Sequence, residues 1–107
     1  MSDFTNAEAE RKILTLLGFA QKAGKLLSGD DLVIAALEKN RAKLVLVAED
    51  CGVNTKKKAA SVLEKTIVPN YIWGEKTRLG HAIGKSPRSM VAITDEGFAK
   101  AIRKILE

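Results

Sequence analysis

Two adjacent carboxylates, Asp30 and Asp31, follow Gly29 at a point where a short apolar segment gives way to a helical pattern. Acidic side chains in the first turn of a helix cap free backbone N–H groups and meet the positive end of the helix dipole, which stabilises the helix by about 0.3–1 kcal/mol each. Carboxylate oxygens also accept hydrogen bonds from the N1–H and N2–H2 donors of guanine. The pair therefore has two interpretations, a local cap and a contact to nucleic-acid bases, and one aspartate can serve each.

The overall charge makes an acidic pair at this turn unusual. The 107 residues carry 18 Lys+Arg against 13 Asp+Glu, a formal net charge of +5. Such an excess favours an anionic partner and carries no information about the fold. The hydrophobic content of 46% is typical of a globular chain, and the length predicts one domain over residues 1–107, in which residues 1–7 are expected to be flexible.

Three consecutive lysines, Lys56, Lys57 and Lys58, are predicted to lie in the first turn of a helix. Three cations there oppose the helix dipole, at a cost of roughly 0.3–1 kcal/mol each, and a bound anion would relieve that cost. The alternative is a solvated surface on which Asp50 serves as a nearby ion partner. A phosphate contact and a plain surface both remain open.

No residues in the sequence are spaced for catalysis, a cofactor or a metal. Cys51 is the only cysteine, so no internal disulfide can form, which fits a reducing compartment. Neither Cys51 nor His81 has a base or a second metal ligand at a suitable spacing, and no phosphate-binding glycine loop is present. The N-terminus lacks a secretory pattern, and no apolar run approaches the ~18 residues of a membrane span. We therefore expect a soluble cytoplasmic protein that is not an enzyme and has no membrane partner.

Hydrophobic periodicity predicts helices that alternate with strands. Strands are expected at Lys25–Ser28, at Leu44–Ala48, around Pro69 and at Ser89–Thr94; helices are expected at Ala7–Ala23, from Asp30 or Asp31 to Lys39, from Asn54 or Thr55 onward, at Arg78–Ile83 and from Asp95 onward. Leu44–Ala48 is wholly apolar, which is typical of a central strand covered on both faces. The alternation predicts an α/β layer structure with a small mixed sheet, in which Pro69 marks an edge strand or a bend.

Several side chains have specific expected positions in these elements. Asp95 and Thr77 are expected to cap the helices that they precede, and Asn40 is expected to end a helix in a left-handed turn. Ile34 is expected to be partly exposed, where it could pack on a ribose or a base. The face buried by the same helix is predicted to comprise Leu32, Val33, Ala36 and Leu37.

Three stretches carry a resemblance to a known family: "GKLLSGDDLVIAALEKNRAKLVLVAEDCGVNTKKK", "LGHAIGK" and "VAITDEGFAKAI". They resemble the bacterial YlxQ-type branch of the L-seven-Ae ribosomal-protein family, and the similarity runs from about Ile13 to Leu106. The resemblance implies a three-layer α-β-α sandwich that binds kink-turn RNA, an internal-loop motif with tandem sheared G·A pairs. The implied partners are structured RNA, ribosomal RNA among them, and the ribosome, and a monomer is expected.

In the strongest RNA binders of that family, the turn between strand and helix has the pattern G-x-N-E-x-x-K. When the sequences are aligned on "AKLVLVAED", Gly29 falls on the Gly and Asp31 on the Asn, whereas Leu32 and Ala35 fall on the Glu and the Lys and offer no polar contact. A shift of one residue would place Asp30 on the Asn and Asp31 on the Glu. Both alignments remain open.

The second family element is the loop before the last strand, usually an apolar-acidic-apolar triplet, which here has become the basic sequence "KSPR". The resemblance therefore implies weaker base recognition, stronger phosphate contact and greater sensitivity to salt. The predicted RNA-binding residues are Lys25, Ser28, Gly29, Asp30, Asp31, Ile34, Lys85, Ser86, Pro87 and Arg88. Further phosphate contacts are predicted at Lys22, Lys56, Lys57 and Lys58.

A function from another class stays open beside RNA recognition. Because the Asn-Glu-x-x-Lys pattern is missing and Ile34 is expected at the surface, the chain could be a protein-interaction module of the ribosome or of the transcription–translation machinery, with weak nonspecific RNA binding. That alternative predicts little salt dependence beyond the nonspecific term.

Overall fold

The predicted alternation of helices and strands is confirmed in a computed structural model, which describes residues 3–107 and side chains from residue 6 onward. The elements are α1 (Asp3–Lys22), β1 (Leu26–Ser28), α2 (Asp30–Glu38), β2 (Leu44–Val47), α3 (Val53–Leu63), β3 (Asn70–Ile72), α4 (Lys76–Ala82), β4 (Met90–Ile93) and α5 (Glu96–Leu106). Helix α1 thus begins before the predicted Ala7. The flexibility expected for residues 1–7 stays a prediction, and residues 1 and 2 lie outside the described part of the chain.

The four strands form one mixed sheet in the order β1-β4-β2-β3. Strand β4 is antiparallel to both β1 and β2, and β3 is parallel to β2. Helix α1 packs against α4 and α5 on one side of the sheet, and α2 packs against α3 on the other. All residues of the two central strands are buried because helices cover both faces. The predicted mixed sheet and three-layer α-β-α sandwich are both confirmed.

The register of the sheet defines two ends that matter for the site. At the upper end, Ser28 of β1 is the partner of Val91, and Val47 of β2 is the partner of Met90. At the lower end, Leu26 and Leu44 are both partners of Ile93. The turn from β1 to α2 and the loop that leads into β4 therefore meet at the upper end, while the starts of β1 and β2 lie at the lower end.

The edge strand β3 begins directly after Pro69, as predicted for a strand with only one neighbour. The carbonyl of Pro69 accepts a hydrogen bond from Val45 N at 3.0 Å, so the proline joins the sheet through its acceptor alone. Tyr71 and Trp73 pack against the buried core. The two aromatic residues therefore contribute to the packing of the core.

The helix ends confirm two predictions and correct a third. Asp95 Oδ2 accepts a hydrogen bond from Phe98 N at 2.9 Å, which is the predicted cap of α5. Asn40 has a φ of 57°, the predicted left-handed turn. Thr77 is not a cap, because α4 begins at Lys76, whose backbone N–H donates to Asp50 Oδ1 at 2.9 Å. Asp50, which one of the two alternatives made an ion partner of the lysine run, thus caps the first turn of α4.

Candidate nucleic-acid interface

The turn between β1 and α2 depends on the backbone of Gly29. This residue has a φ of 97° and a ψ of 148°, which L side chains rarely adopt. A Cβ built there would meet no atom within 4 Å, so glycine is needed for its conformation and not for lack of space. Gly29 N donates to Met90 O at 3.0 Å, which fixes the turn to the start of β4. The result is an open backbone surface at the upper end of the sheet.

Asp30 and Asp31 form the first turn of α2, and neither makes the predicted cap. The cap position is Gly29, and no side chain accepts a hydrogen bond from the free N–H groups there. Asp31 is almost fully exposed, with 98% of its side-chain surface accessible, and Asp30 is partly buried. Their charges still meet the positive end of the helix dipole. The carboxylate oxygens of Asp31 are therefore presented to solvent, where a donor from a partner can reach them.

The lysine run lies beside this acidic turn. Lys58 Nζ is 3.8 Å from Asp31 Oδ1, which places the middle of α3 next to the start of α2 on one surface. Because α3 begins at Val53, only Lys56 belongs to its first turn, and the dipole cost predicted for all three lysines is wrong for Lys57 and Lys58. An ion pair this exposed is worth at most about 1 kcal/mol, so an RNA phosphate can compete for Lys58.

The loop before β4 is tied to the β1–α2 turn by Arg88. Its Nε donates to Ser28 Oγ at 3.1 Å, and its Nη1 donates to Ser86 Oγ at 2.8 Å and to the carbonyls of Ser86 and Pro87, both at 3.3 Å. The two elements singled out in the sequence therefore form one surface. The guanidinium, predicted as a phosphate contact, also holds the loop in place.

The loop before β4 packs directly against Gly80. A Cβ on Gly80 would lie 2.1 Å from Ser86 O and 2.9 Å from Pro87 Cα, so no larger residue fits. Lys85 N donates to Gly80 O at 2.8 Å, and Arg88 N donates to Lys76 O at 3.1 Å. In the sequence, Gly80 is only part of the stretch "LGHAIGK" that carries the resemblance, and nothing in that stretch predicts its role as a support of the loop.

One prediction about the apolar residues of α2 needs correction. Leu32, predicted to be buried, is 56% exposed next to Asp31. Ile34 is partly buried, as expected, but it lies on the side of α2 that faces α3. Leu37 and Glu38, one turn further on the same side, line a cavity with residues of α3. Leu32 is therefore a further apolar residue exposed at this turn, and the RNA contact of Ile34 stays a prediction.

Two of the predicted lysines lie away from the β1–α2 turn. The carbonyl of Lys25 accepts from Thr94 N at 2.9 Å, which places Lys25 at the lower end of the sheet, about 13 Å of strand from Gly29. Lys22 lies at the end of α1 and lines a groove together with Gly84, directly before the loop. Of the cations predicted to contact RNA, Lys25 therefore lies at the opposite end of the sheet from the β1–α2 turn.

The described residues offer no other evident site of chemistry. Within residues 6–107, no group of three or more His, Cys, Asp and Glu side chains is placed to hold a metal ion. Cys51 is a free, buried thiol. None of the helices described is both long and apolar enough to cross a membrane.

Known proteins match this chain over most of its length. Residues 11–103 match the profile of the ribosomal protein L7Ae/L30e/S12e/Gadd45 family. The chain belongs to this family. It is 44% identical to the RNA-binding protein YlxQ of Bacillus subtilis (strain 168), over 86% of this chain and 92% of that protein. It is 32% identical to the large ribosomal subunit protein eL8 of Thermoplasma volcanium, over 94% of this chain and 84% of that protein.

A solved structure shares the fold of this family member. A protein of unknown function from Bacillus halodurans C superposes with a TM-score of 0.83 at 34% identity, over 89% of this chain and 96% of that one. The fold therefore covers nearly the full length of both chains.

Proposed function

We propose that this family member is a non-catalytic, cytoplasmic RNA-binding protein that recognises kink-turn-like structured RNA as a monomer. The observation that carries the proposal is the hydrogen bond from Arg88 Nε to Ser28 Oγ at 3.1 Å. It joins the loop before β4 and the β1–α2 turn into one surface, and the resemblance assigns RNA contact to both. The RNA is a segment of ribosomal RNA or of a structured messenger RNA, and the ribosome is the corresponding assembly.

The residues of this surface have separate roles in the proposed complex. The carboxylates of Asp30 and Asp31 accept hydrogen bonds from guanine edges of the G·A pairs, and the open backbone at Gly29 allows the RNA to approach closely. Lys85 and Lys58 neutralise phosphates on either side of the turn. The bent RNA is stabilised because the protein binds that conformer and shifts the population toward it.

Relatives of this chain support RNA as the partner. YlxQ of Bacillus subtilis is named an RNA-binding protein, and eL8 of Thermoplasma volcanium is a ribosomal protein. The formal net charge of +5 agrees with a polyanionic partner. The surface differs from a purely electrostatic one because two carboxylates lie at its centre, where they would repel RNA unless they accepted hydrogen bonds from bases.

The proposal is tested by titrating the protein with a kink-turn RNA and with a control RNA whose G·A pairs are replaced by Watson–Crick pairs. We expect at least about tenfold tighter binding of the kink-turn, since one good base contact discriminates by about 1–3 kcal/mol. Equal affinity for the two RNAs would contradict the proposal. Capture of a protein partner after nuclease treatment, together with equal RNA affinities, would favour the protein-interaction alternative.

Replacing Arg88 with lysine keeps the positive charge but removes the planar group that links the loop to Ser28. We expect roughly 3- to 30-fold weaker kink-turn binding. A hydrogen bond from a charged donor stabilises the loop by about 1.5–3 kcal/mol. Without it the loop is less ordered in the free protein, and part of that free energy is then lost from RNA binding. The slope of log affinity against log salt should stay unchanged, since the net charge is retained.

Lys85→Gln and Ser28→Ala provide the matched comparisons for Arg88. Lys85→Gln removes a proposed phosphate contact and should lower the salt slope by about 0.9. In the Ser28→Ala background, Arg88→Lys should cost less than it does alone, because both changes break one hydrogen bond. Full additivity of the two changes would show that Arg88 does not act through Ser28.

A further inference from the structure

The lower end of the sheet carries a group of cations that the proposed interface does not use. Lys25 precedes β1, and the segment between α2 and β2 contributes three more within five positions. We call this group the basic pole; its members are Lys25, Lys39, Arg41 and Lys43. All four are exposed. None of them takes part in an ion pair with the described residues, whose ion pairs use Lys12, Lys58, Arg78 and Arg103.

The backbone of the basic pole is held in a fixed conformation. Ala42 is only 4% exposed and anchors the segment in the core between the exposed Arg41 and Lys43. Arg41 N donates to Ala36 O at 2.8 Å, and Lys43 N donates to Ile93 O at 2.7 Å. Asn40 adopts a left-handed conformation in the segment that connects α2 to β2. The cations are therefore presented on a rigid frame and not on a mobile loop.

The positions of Lys25 and Lys43 bring their charges close together. Leu26 and Leu44 are partners of Ile93 on its two sides, so the residues that precede them lie two strand spacings apart, about 10 Å. Exposed charges separated by about that distance are largely screened in physiological salt, so the cations can share one end of the sheet without ion partners. Acids near the pole include Glu38, at the end of α2, Asp95, whose carboxylate accepts from Phe98 N, and Glu96, which pairs with Arg103. The pole is left with excess positive charge, which an anion would neutralise.

We propose that the basic pole is a second RNA-binding surface, which holds the phosphate backbone of a helical stem without recognising its sequence. The surface lies about 13 Å of strand away from the β1–α2 turn, so it contacts either a stem that continues from the kink-turn or a separate stem. Backbone phosphates fit because the pole offers four exposed cations, with a single amide side chain, Asn40, and no aromatic residue among them. The inference rests on RNA being the partner in the proposed function, but not on recognition of G·A pairs.

The test compares two triple variants that lower the net charge equally. The pole variant is Lys25→Gln, Arg41→Gln and Lys43→Gln; the control variant is Arg11→Gln, Lys100→Gln and Lys104→Gln, three exposed cations elsewhere on the chain. Each variant and the wild type is titrated across a range of salt concentrations. The RNAs are a kink-turn with short stems, the same kink-turn with one stem lengthened by about a helical turn, and a plain RNA duplex.

We expect the pole variant to lose affinity for the lengthened kink-turn or for the plain duplex, with a salt slope lower by about 2–3 than that of the control variant. Loss on the lengthened RNA alone identifies a continuing stem, and loss on the duplex identifies a separate one. Binding by the pole variant equal to that of the control variant on both RNAs overturns the inference. Discrimination between the short kink-turn and its G·A-replaced control tests the proposed function separately, because neither triple variant touches the β1–α2 turn.

Discussion

Gly80→Ala is expected to destabilise the protein by about 1–3 kcal/mol and to weaken kink-turn binding at the same time. The added methyl group would lie 2.1 Å from Ser86 O and 2.7 Å from Ser86 C, which are backbone atoms that no rotamer change can move. Either the loop before β4 or α4 must shift, and overpacking of this kind costs about 1–3 kcal/mol. For a domain of this size the melting temperature should fall by roughly 4–8 °C per kcal/mol.

Loss of binding should exceed loss of folding for Gly80→Ala. Displacement of Ser86 and Pro87 separates Arg88 from Ser28 and divides the proposed interface, even in molecules that remain folded. Thermal unfolding followed by circular dichroism and RNA titration well below the melting temperature measure the two effects separately. Gly52→Ala is the matched control, because its φ of −68° suits alanine and a Cβ there would meet nothing within 4 Å. A Gly80→Ala protein that melts and binds like the wild type would contradict the role assigned to Gly80.

The double substitution Asp30→Ala/Asp31→Ala should weaken binding of a kink-turn RNA by about 10- to 100-fold. Two carboxylates that accept hydrogen bonds from guanine are removed, and each good base contact contributes about 1–3 kcal/mol of discrimination. Binding of a plain RNA duplex should become stronger, since two negative charges are removed from a surface that approaches phosphates. The ratio of kink-turn affinity to duplex affinity therefore falls, because the first affinity decreases while the second increases. A uniform loss of folding or a uniform effect of charge would change both affinities in the same direction.

Two control variants on α2 isolate the role of the aspartates. Glu38→Ala removes one carboxylate from the far end of the same helix and should leave the affinity ratio unchanged. Asp31→Asn keeps an acceptor oxygen and restores the amide of the family pattern, so the ratio should be retained or increased. The prediction fails if the double variant discriminates between the two RNAs as well as the wild type does.

Much of the fold follows from local patterns in the sequence. Leu44–Ala48 and the apolar segment before Thr94 identify the two central strands, since only a strand covered on both faces is apolar throughout. The cap by Asp95 and the left-handed Asn40 could be predicted because each depends on its own residue type and immediate neighbours. The mixed sheet followed from Pro69 and a short third strand.

What local patterns miss is contact between segments distant in the chain. Asp50 caps α4, which begins at Lys76, so no spacing rule within one element could find it. Leu32 matches the helical period of the buried face but lies beyond the part of α2 that packs on the sheet. Lys25 stands close to Gly29 in sequence, yet an intervening strand separates the two by the height of the sheet. The pairing of Arg88 with Ser28 joins two segments whose proximity only the family resemblance implied.

The central claim, that this protein holds RNA in a kinked form through its G·A pairs, is tested most directly by the end-to-end distance of the RNA. A kink-turn duplex with a fluorescent donor and acceptor on its two arms is titrated with protein in buffer without divalent cations. We predict that energy transfer rises to that of the fully kinked RNA at saturating protein, and that a duplex with its G·A pairs replaced shows no rise. Saturated binding without a change in transfer, or an equal rise for both RNAs, would contradict the claim.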